Sequence, residues 1–359
     1  MVLLCGACVD RININVSSGS AFPVVIDGYI SDQPGPYRIL VTKAFDIESK
    51  TSIKSPIQVK SLVISDNFGT TESLSSVSQG VYQTSPTGIK GVVGRAYKLK
   101  IELLDGRIYE SIPDTLGVSG TVDDVYYTFK EEHTLNGGPK YGFDVFFNST
   151  ASAKNNYYLW KFIGTFKYDT NPELYTQPCG ESRCLLPRPC SSYVLQGGEL
   201  KYVKSCSCCT CWTNLENAEP IVSDNQFVQA GQFKGIKAMY VPLTTWTLMY
   251  KVHAQVNQMS LSRQAFAFWK GVKAQKGATA SLFQPVTGKI PGNFVQISGE
   301  QAPMEGLFFA TSIASKAVFI NRSDVPNQSL IPGVDLPFAD NCLNLFPNST
   351  VSKPSYWVD

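Results

Sequence analysis

The sequence predicts an all-β protein of two tandem β-sandwich domains. An immunoglobulin- or transthyretin-like sandwich is expected over residues 21–118, and a larger one over 119–359 with one packed helix and a disulfide-rich loop. Three observations predict this. Apolar and polar residues alternate with period two along most of the chain, and turn-forming Gly, Pro, Asn and Asp separate the alternating runs. An apolar content of 43% with 12% aromatics is ample for packed cores.

Taken in order, residues 1–20 read as a leader remnant and a polar tether, since 11–20 are rich in polar and small residues. Strands are expected at 23–30, 37–42, 58–65 and around Tyr82, with turns at Asp32-Gln33-Pro34-Gly35-Pro36 and Asp66-Asn67-Phe68-Gly69. Tyr97, Leu99, Ile101 and Leu103 alternate with Lys98, Lys100 and Glu102, which gives one buried and one wet face. Asp105-Gly106 then supplies the positive φ of a tight hairpin, and 107–112 returns as the partner strand. Residues 113–120 read as a connector.

The second β region begins with 122–130 and crosses Gly137-Gly138 into 141–147. In 157–168 the side chains Tyr158, Trp160, Phe162, Phe166 and Tyr168 share one face, and a sandwich core is expected there rather than an exposed sugar-stacking platform. Residues 245–255 repeat the pattern, with Trp246, Leu248, Tyr250, Val252 and Ala254 on one side. Over 260–276 the spacing changes to that of a helix, through Leu261, Ala265, Phe266, Phe268, Trp269 and Val272, with a capping serine in front and Gly277 behind. Lys270, Lys273 and Lys276 stand near its C-terminal end, where the helix dipole favours cations. The helix is expected to lay its aromatic face on the second sheet. Residues 283–293 read as a loop and 307–320 as a last strand.

Two segments speak about location. Leu4-Cys5-Gly6-Ala7-Cys8 has the small residues before a cysteine that a lipoprotein signal peptidase cuts, which would leave Cys8 bearing lipid. The seven residues ahead of Cys8 are too few for a full export signal, so the expectation is that the recorded start is internal or trimmed; a short buried strand is the plain alternative. Seven cysteines then crowd into 179–211. Cys179, Cys184, Cys190, Cys206, Cys208, Cys209, Cys211 and the distant Cys342 are expected to form disulfides in an oxidising compartment. Their connectivity is open, although adjacent Cys208 and Cys209 should take different partners, and Cys342 would pin the C-terminal tail to the cysteine-rich stretch 170–220. A thiolate metal cage, for which Cys206-Ser207-Cys208-Cys209-Thr210-Cys211 has the density, fits less well, because the Cys pairs of structural zinc sites are commonly completed by histidine and none is nearby. No metal or cofactor is expected.

Chemistry is harder to find. Lys and Arg total 31 against 29 Asp and Glu, which gives no basic bias toward nucleic acid. His133 and His253 read as ordinary surface histidines, and adjacent Asp123 and Asp124 on one strand point to opposite faces. No nucleophile elbow, zinc-protease helix, P-loop or dinucleotide fingerprint occurs, so a non-enzyme is expected. Trp212, beside the cysteines, is a candidate ligand contact.

Several phrases in order resemble one family. They are Val24-Val25-Ile26-Asp27-Gly28-Tyr29-Ile30 with Pro34-Gly35-Pro36-Tyr37, Gly94-Arg95-Ala96-Tyr97, the Asp105-Gly106 hairpin with Tyr109-Glu110-Ser111, residues 262–270, Gly306-Leu307-Phe308-Phe309-Ala310, and the segment 342–357. Together with the N-terminal cysteine motif, these make the chain similar to domain-of-unknown-function family 4249, lipoproteins of Bacteroidota. The resemblance implies an outer-membrane lipoprotein, lipid-anchored and facing the cell surface. It implies an accessory or binding subunit of a TonB-dependent transporter or similar β-barrel, in nutrient capture or surface assembly. Asp114-Thr115-Leu116 also resembles the O-glycosylation site of that phylum, which makes Thr115 a candidate, and Asp10 resembles an acidic surface-export signal. Two alternatives stand beside this reading. One is a free-standing surface binder of glycans or peptides; the other is a carboxylate-based hydrolase, which requires two acidic side chains to converge in one cleft.

Overall fold

Alternation along the chain becomes cross-strand pairing in four principal sheets forming two sandwiches, in a computed structural model that describes residues 23–43, 55–132, 138–224, 231–279, 290–333 and 337–358. The first sandwich has two six-stranded sheets. One runs Met304–Thr311, Val24–Ser31, Arg38–Lys43, Val81–Gln83, Ser75–Ser78, with Ser55–Pro56 beside Arg38–Lys43. The other runs Phe294–Ser298, Ile108–Ser111, Ala96–Leu103, Val59–Asp66, Thr71–Ser73, with Asp114–Thr115 on Ala96–Leu103. Ile26, Ile39 and Val41 from one sheet meet Ile64, Leu99 and Ile101 from the other in the core. Gly106 has φ +86°, which the tight turn needs and a side chain disfavours.

The expected division at 118/119 places 294–311 in the second domain, but sheet pairing puts these strands in the first. Met304–Thr311 pairs parallel with Val24–Ser31 over its whole length. Gly306 permits the close approach: its φ is +95°, and a Cβ there would lie 1.9 Å from the Ile26 carbonyl oxygen. Parallel pairing needs a long crossover, and here the intervening chain runs through the other strands of the first sandwich and all but the last strand of the second.

That second sandwich packs a three-stranded sheet (Thr121–Glu132, Lys140–Thr150, Gln232–Pro242) on a five-stranded one. The latter has the order Thr210–Glu216, Tyr157–Asp169, Lys251–Leu261, Ile313–Asn321, with Ile221–Asp224 also on Tyr157–Asp169. Tyr158, Trp160, Phe162, Phe166 and Tyr168 are each 1% exposed or less, so the aromatic face is core. The Trp160 indole N–H donates to Gln258 Oε1 at 2.8 Å, which satisfies its one polar atom.

The outer face of the five-stranded sheet carries the helix, Arg263–Thr279. Ser262 is its cap, accepting the Ala265 N–H at 3.1 Å, while Ser260 and Leu261 belong to the preceding strand. Phe266, Phe268 and Trp269 close a third core over Leu159, Met259, Leu307 and Phe309. Phe308 and Phe309 point into different cores, so one strand joins both sandwiches.

Two expected strands are corrected. Residues 245–250 form turns, because the Thr244 and Thr247 hydroxyls bond locally, Thr247 Oγ1 to the Pro242 carbonyl at 2.5 Å; Leu248 still reaches the core while Tyr250 is 41% exposed. The run 307–320 is two strands broken at Ser312, whose N–H donates to Ser260 Oγ at 2.9 Å and whose hydroxyl donates to Asp32 at 2.5 Å. The break lets the chain leave one sheet and enter another. Residues 113–120 are likewise more than a connector, since buried Asp114 accepts the Ala310 N–H at 2.9 Å and burial raises its pKa.

Candidate binding clefts on the outer sheet face

The cysteines settle first. The bridges are Cys179–Cys184, Cys190–Cys208, Cys206–Cys209 and Cys211–Cys342, so the disulfide reading holds and adjacent Cys208 and Cys209 take different partners. Cys179–Cys184 closes the hairpin Thr176–Cys179/Ser182–Leu185. Cys190–Cys208 and Cys206–Cys209 gather the base of the hairpin Tyr193–Gln196/Glu199–Tyr202. Cys211–Cys342 ties the C-terminal tail to the edge strand of the second sandwich.

That tail changes the standing of two expected residues. Trp212 is only 7% exposed and meets Trp357 edge-on, with ring centroids 6.4 Å apart, so it is a packing residue rather than a surface contact. His253 is only 6% exposed: Tyr356 stacks on it at 4.3 Å, and burial lowers its pKa. Thr115 is exposed between buried Asp114 and Leu116. Cys8, Asp10 and His133 lie outside the described residues.

A cleft of about 460 Å³ opens where the two sandwiches and the helix meet. It forms because the edge strand leaves Tyr157–Asp169 at Glu216, opposite Ile163, and pairing resumes only with Ile221 opposite Trp160. Asn217 bridges the gap by accepting the Phe162 N–H at 2.8 Å, and Lys276 reaches from the helix to the Ala218 carbonyl. Asp27 and Tyr29 come from the first sandwich, Lys161 and Glu216 from the second, and Trp269 from the helix.

The electrostatics of this cleft are mixed. The Lys161 ammonium lies over the Tyr29 ring at 5.3 Å and the Trp269 ring at 5.6 Å, a cation held on two aromatic faces. Burial raises the Tyr29 pKa, and nearby Asp27 and Glu216 raise it further. The Trp269 indole N–H is buried without a hydrogen-bond partner among the described residues. Asp27 and Glu216 thus bring two acidic side chains to one cleft, the condition a hydrolase would need.

A second cleft, of about 340 Å³, lies farther along the same sheet face and is lined by Lys167, Tyr250, Lys251, Asn321 and Trp357. Sequence reasoning missed these residues. The available signal was the polar side of the aromatic strand, where Lys161 and Lys167 alternate with the core aromatics at the strand's period of two.

In comparison with known families, residues 9–317 match the model described as a domain of unknown function, DUF4249. No curated protein matches the chain.

Proposed function

We propose that this chain, which belongs to the DUF4249 family, is a non-catalytic binding lipoprotein that captures a polar ligand, a glycan or peptide, in the cleft between its sandwiches. The observation that carries the reading is the constellation of Tyr29, Lys161 and Trp269 in that cleft, with Asp27 and Glu216 beside them. Rings supply contact area, and charges of both signs match a ligand with both donors and acceptors. Clefts at domain junctions are frequent ligand sites.

Anchoring through lipid on Cys8 would hold this cleft at the outer membrane, on the cell surface. The protein would then serve as accessory to a TonB-dependent or similar β-barrel, handing on what it binds. Purification of the tagged, lipidated protein from detergent-solubilised native envelope tests that partnership: a stoichiometric barrel protein is expected, and recovery of the protein alone would reject it. Glycan and peptide arrays followed by calorimetry test the cleft. Trp269→Ala and Lys161→Ala are each expected to weaken binding by about tenfold or more. No saturable ligand for the wild-type protein would overturn the reading.

The shared cleft of Asp27 and Glu216 favours a second reading, a carboxylate-based hydrolase. It predicts turnover of the bound ligand, abolished in Asp27→Asn or Glu216→Gln. Binding without turnover in the wild-type protein rejects it.

A further inference from the structure

The second cleft on the sheet face has a different chemistry. Lys167 sits over the Tyr250 ring at 4.5 Å, and Lys251 over the Phe319 and Trp357 rings at 4.8 and 5.6 Å. Neither ammonium forms an ion pair with a described carboxylate. The described carboxylates nearby accept hydrogen bonds from neutral donors. Asp169 accepts from the Tyr250 hydroxyl and from Thr210 Oγ1 at 2.6 Å. Asp324 accepts from the Tyr127 hydroxyl at 2.6 Å and from the Asn321 N–H at 2.7 Å. Two half-buried cations thus face one small cleft with ring walls, and among the described residues neither has a carboxylate in ion-pair contact.

We infer that this cleft binds a small organic carboxylate, the charge held by Lys167 and Lys251 and the body of the ligand against the rings of Tyr250 and Trp357. The rings hold the lysines in place through cation–π contact, so less side-chain freedom is lost on binding. Their order in the fold supports a built site: Lys167 and Lys251 stand on adjacent strands at the same end of the sheet, and Trp357 is fixed there by the tail that Cys211–Cys342 holds. Lys161 and Lys167 are six residues apart on one strand, about 20 Å at ~3.3 Å per residue, so the two clefts are separate. The inference therefore does not depend on the ligand of the junction cleft.

Calorimetric titration of the full chain with two matched pairs tests it: glucuronate against glucose, and N-acetylphenylalanine against its amide. The charged member of at least one pair is expected to bind at least about tenfold more tightly than its neutral partner, because an ionised acceptor forms the stronger hydrogen bond. The pair that discriminates tells whether the carboxylate arrives on a sugar or on a peptide end. Lys167→Met with Lys251→Met is expected to remove the preference, Lys167→Arg with Lys251→Arg to keep it, and Lys90→Met, at an exposed lysine that lines neither cleft, to leave it unchanged. Equal affinity for charged and neutral members, no saturable binding of either pair, or a preference that survives the double Met variant would overturn the inference. Equal affinity of the wild-type protein for charged and neutral ligand overturns the inference even if the Met variant is poorly folded, and the Arg variant, which keeps both charges, then serves as the folded comparison.

Discussion

The second sandwich and the cysteine module that interrupts it reach order by different means. Between the strands of the sandwich, Phe143, Phe147, Trp160, Phe162, Phe166 and Tyr168 are 1% exposed or less. Across residues 173–209, by contrast, Ser191, Ser192 and Cys208 are the buried residues, while Val194, Leu195, Tyr202 and Val203 are each at least 45% exposed. The module lies on the sandwich surface, where little apolar area is available to cover its hairpins. Three internal disulfides restrict its unfolded states instead. Packing and cross-linking are thus alternative answers to the same conformational entropy, chosen by how much apolar surface the local chain can bury.

The sharpest challenge to this contrast is a bridge on the packed side, between the edge strand of the sandwich and the C-terminal tail. Cys211–Cys342 closes a sequence separation of 131 residues, and the chain-entropy relation assigns it about 5 kcal/mol. Cys211→Ser with Cys342→Ser is expected to lower the urea midpoint by a corresponding amount. It should also free the tail, seen as loss of the Trp212–Trp357 contact in near-ultraviolet circular dichroism.

Next is the packed side. Trp160→Ala removes the largest fully buried side chain and leaves Gln258 Oε1 without its indole donor, so a loss of about 4 kcal/mol is expected in equilibrium unfolding. A loss under about 1 kcal/mol would mean that the aromatic core is not what holds the sandwich. Smaller still is the short bridge Cys179–Cys184, with a separation of 5, for which the same relation gives about 2 kcal/mol. Replacing both with Ser should speed amide exchange across 176–185 and leave the main unfolding transition unmoved. Movement of that transition would show the module to be part of the sandwich's cooperative unit.

The smallest expected effect is a pH slope from His253. Burial lowers its pKa below 6.5, so as pH falls the unfolded chain takes up the proton first. Its contribution is neutral above 6.5, and stability declines below 6.5 down to the lowered native value. His253→Phe keeps a ring beneath Tyr356 and should flatten the unfolding midpoint across that window.

Much of this architecture was legible in the residues. Period-two runs located the strands at 24–31, 59–66, 96–103 and 157–169, Asp105-Gly106 located a hairpin, and the density of cysteines announced a cross-linked module. Where reading failed, the missing information was not local. Trp246, Leu248 and Tyr250 extend the alternation of the following strand, yet hydroxyl-to-backbone bonds from Thr244 and Thr247 hold them in a turn. His253 reads as a surface residue because nothing near it in sequence reveals that Tyr356 will cover it. The run 307–320 looks like one strand because alternation does not report which sheet a strand joins.

The order of apolar, polar, turn-forming and cysteine residues by itself determined the all-β class, the aromatic core and the helix, since each follows from contacts or conformations within a few residues. Tertiary structure alone decided that residues 294–311 return to complete the first sandwich, which cysteines pair, and that Asp27, Lys161 and Trp269 share a cleft. The physical reason is that hydrophobic burial is non-directional. A strand's pattern states that one face must be covered, while the partner that covers it is settled by backbone pairing, close approach at positions such as Gly306, and the shape of what has already packed.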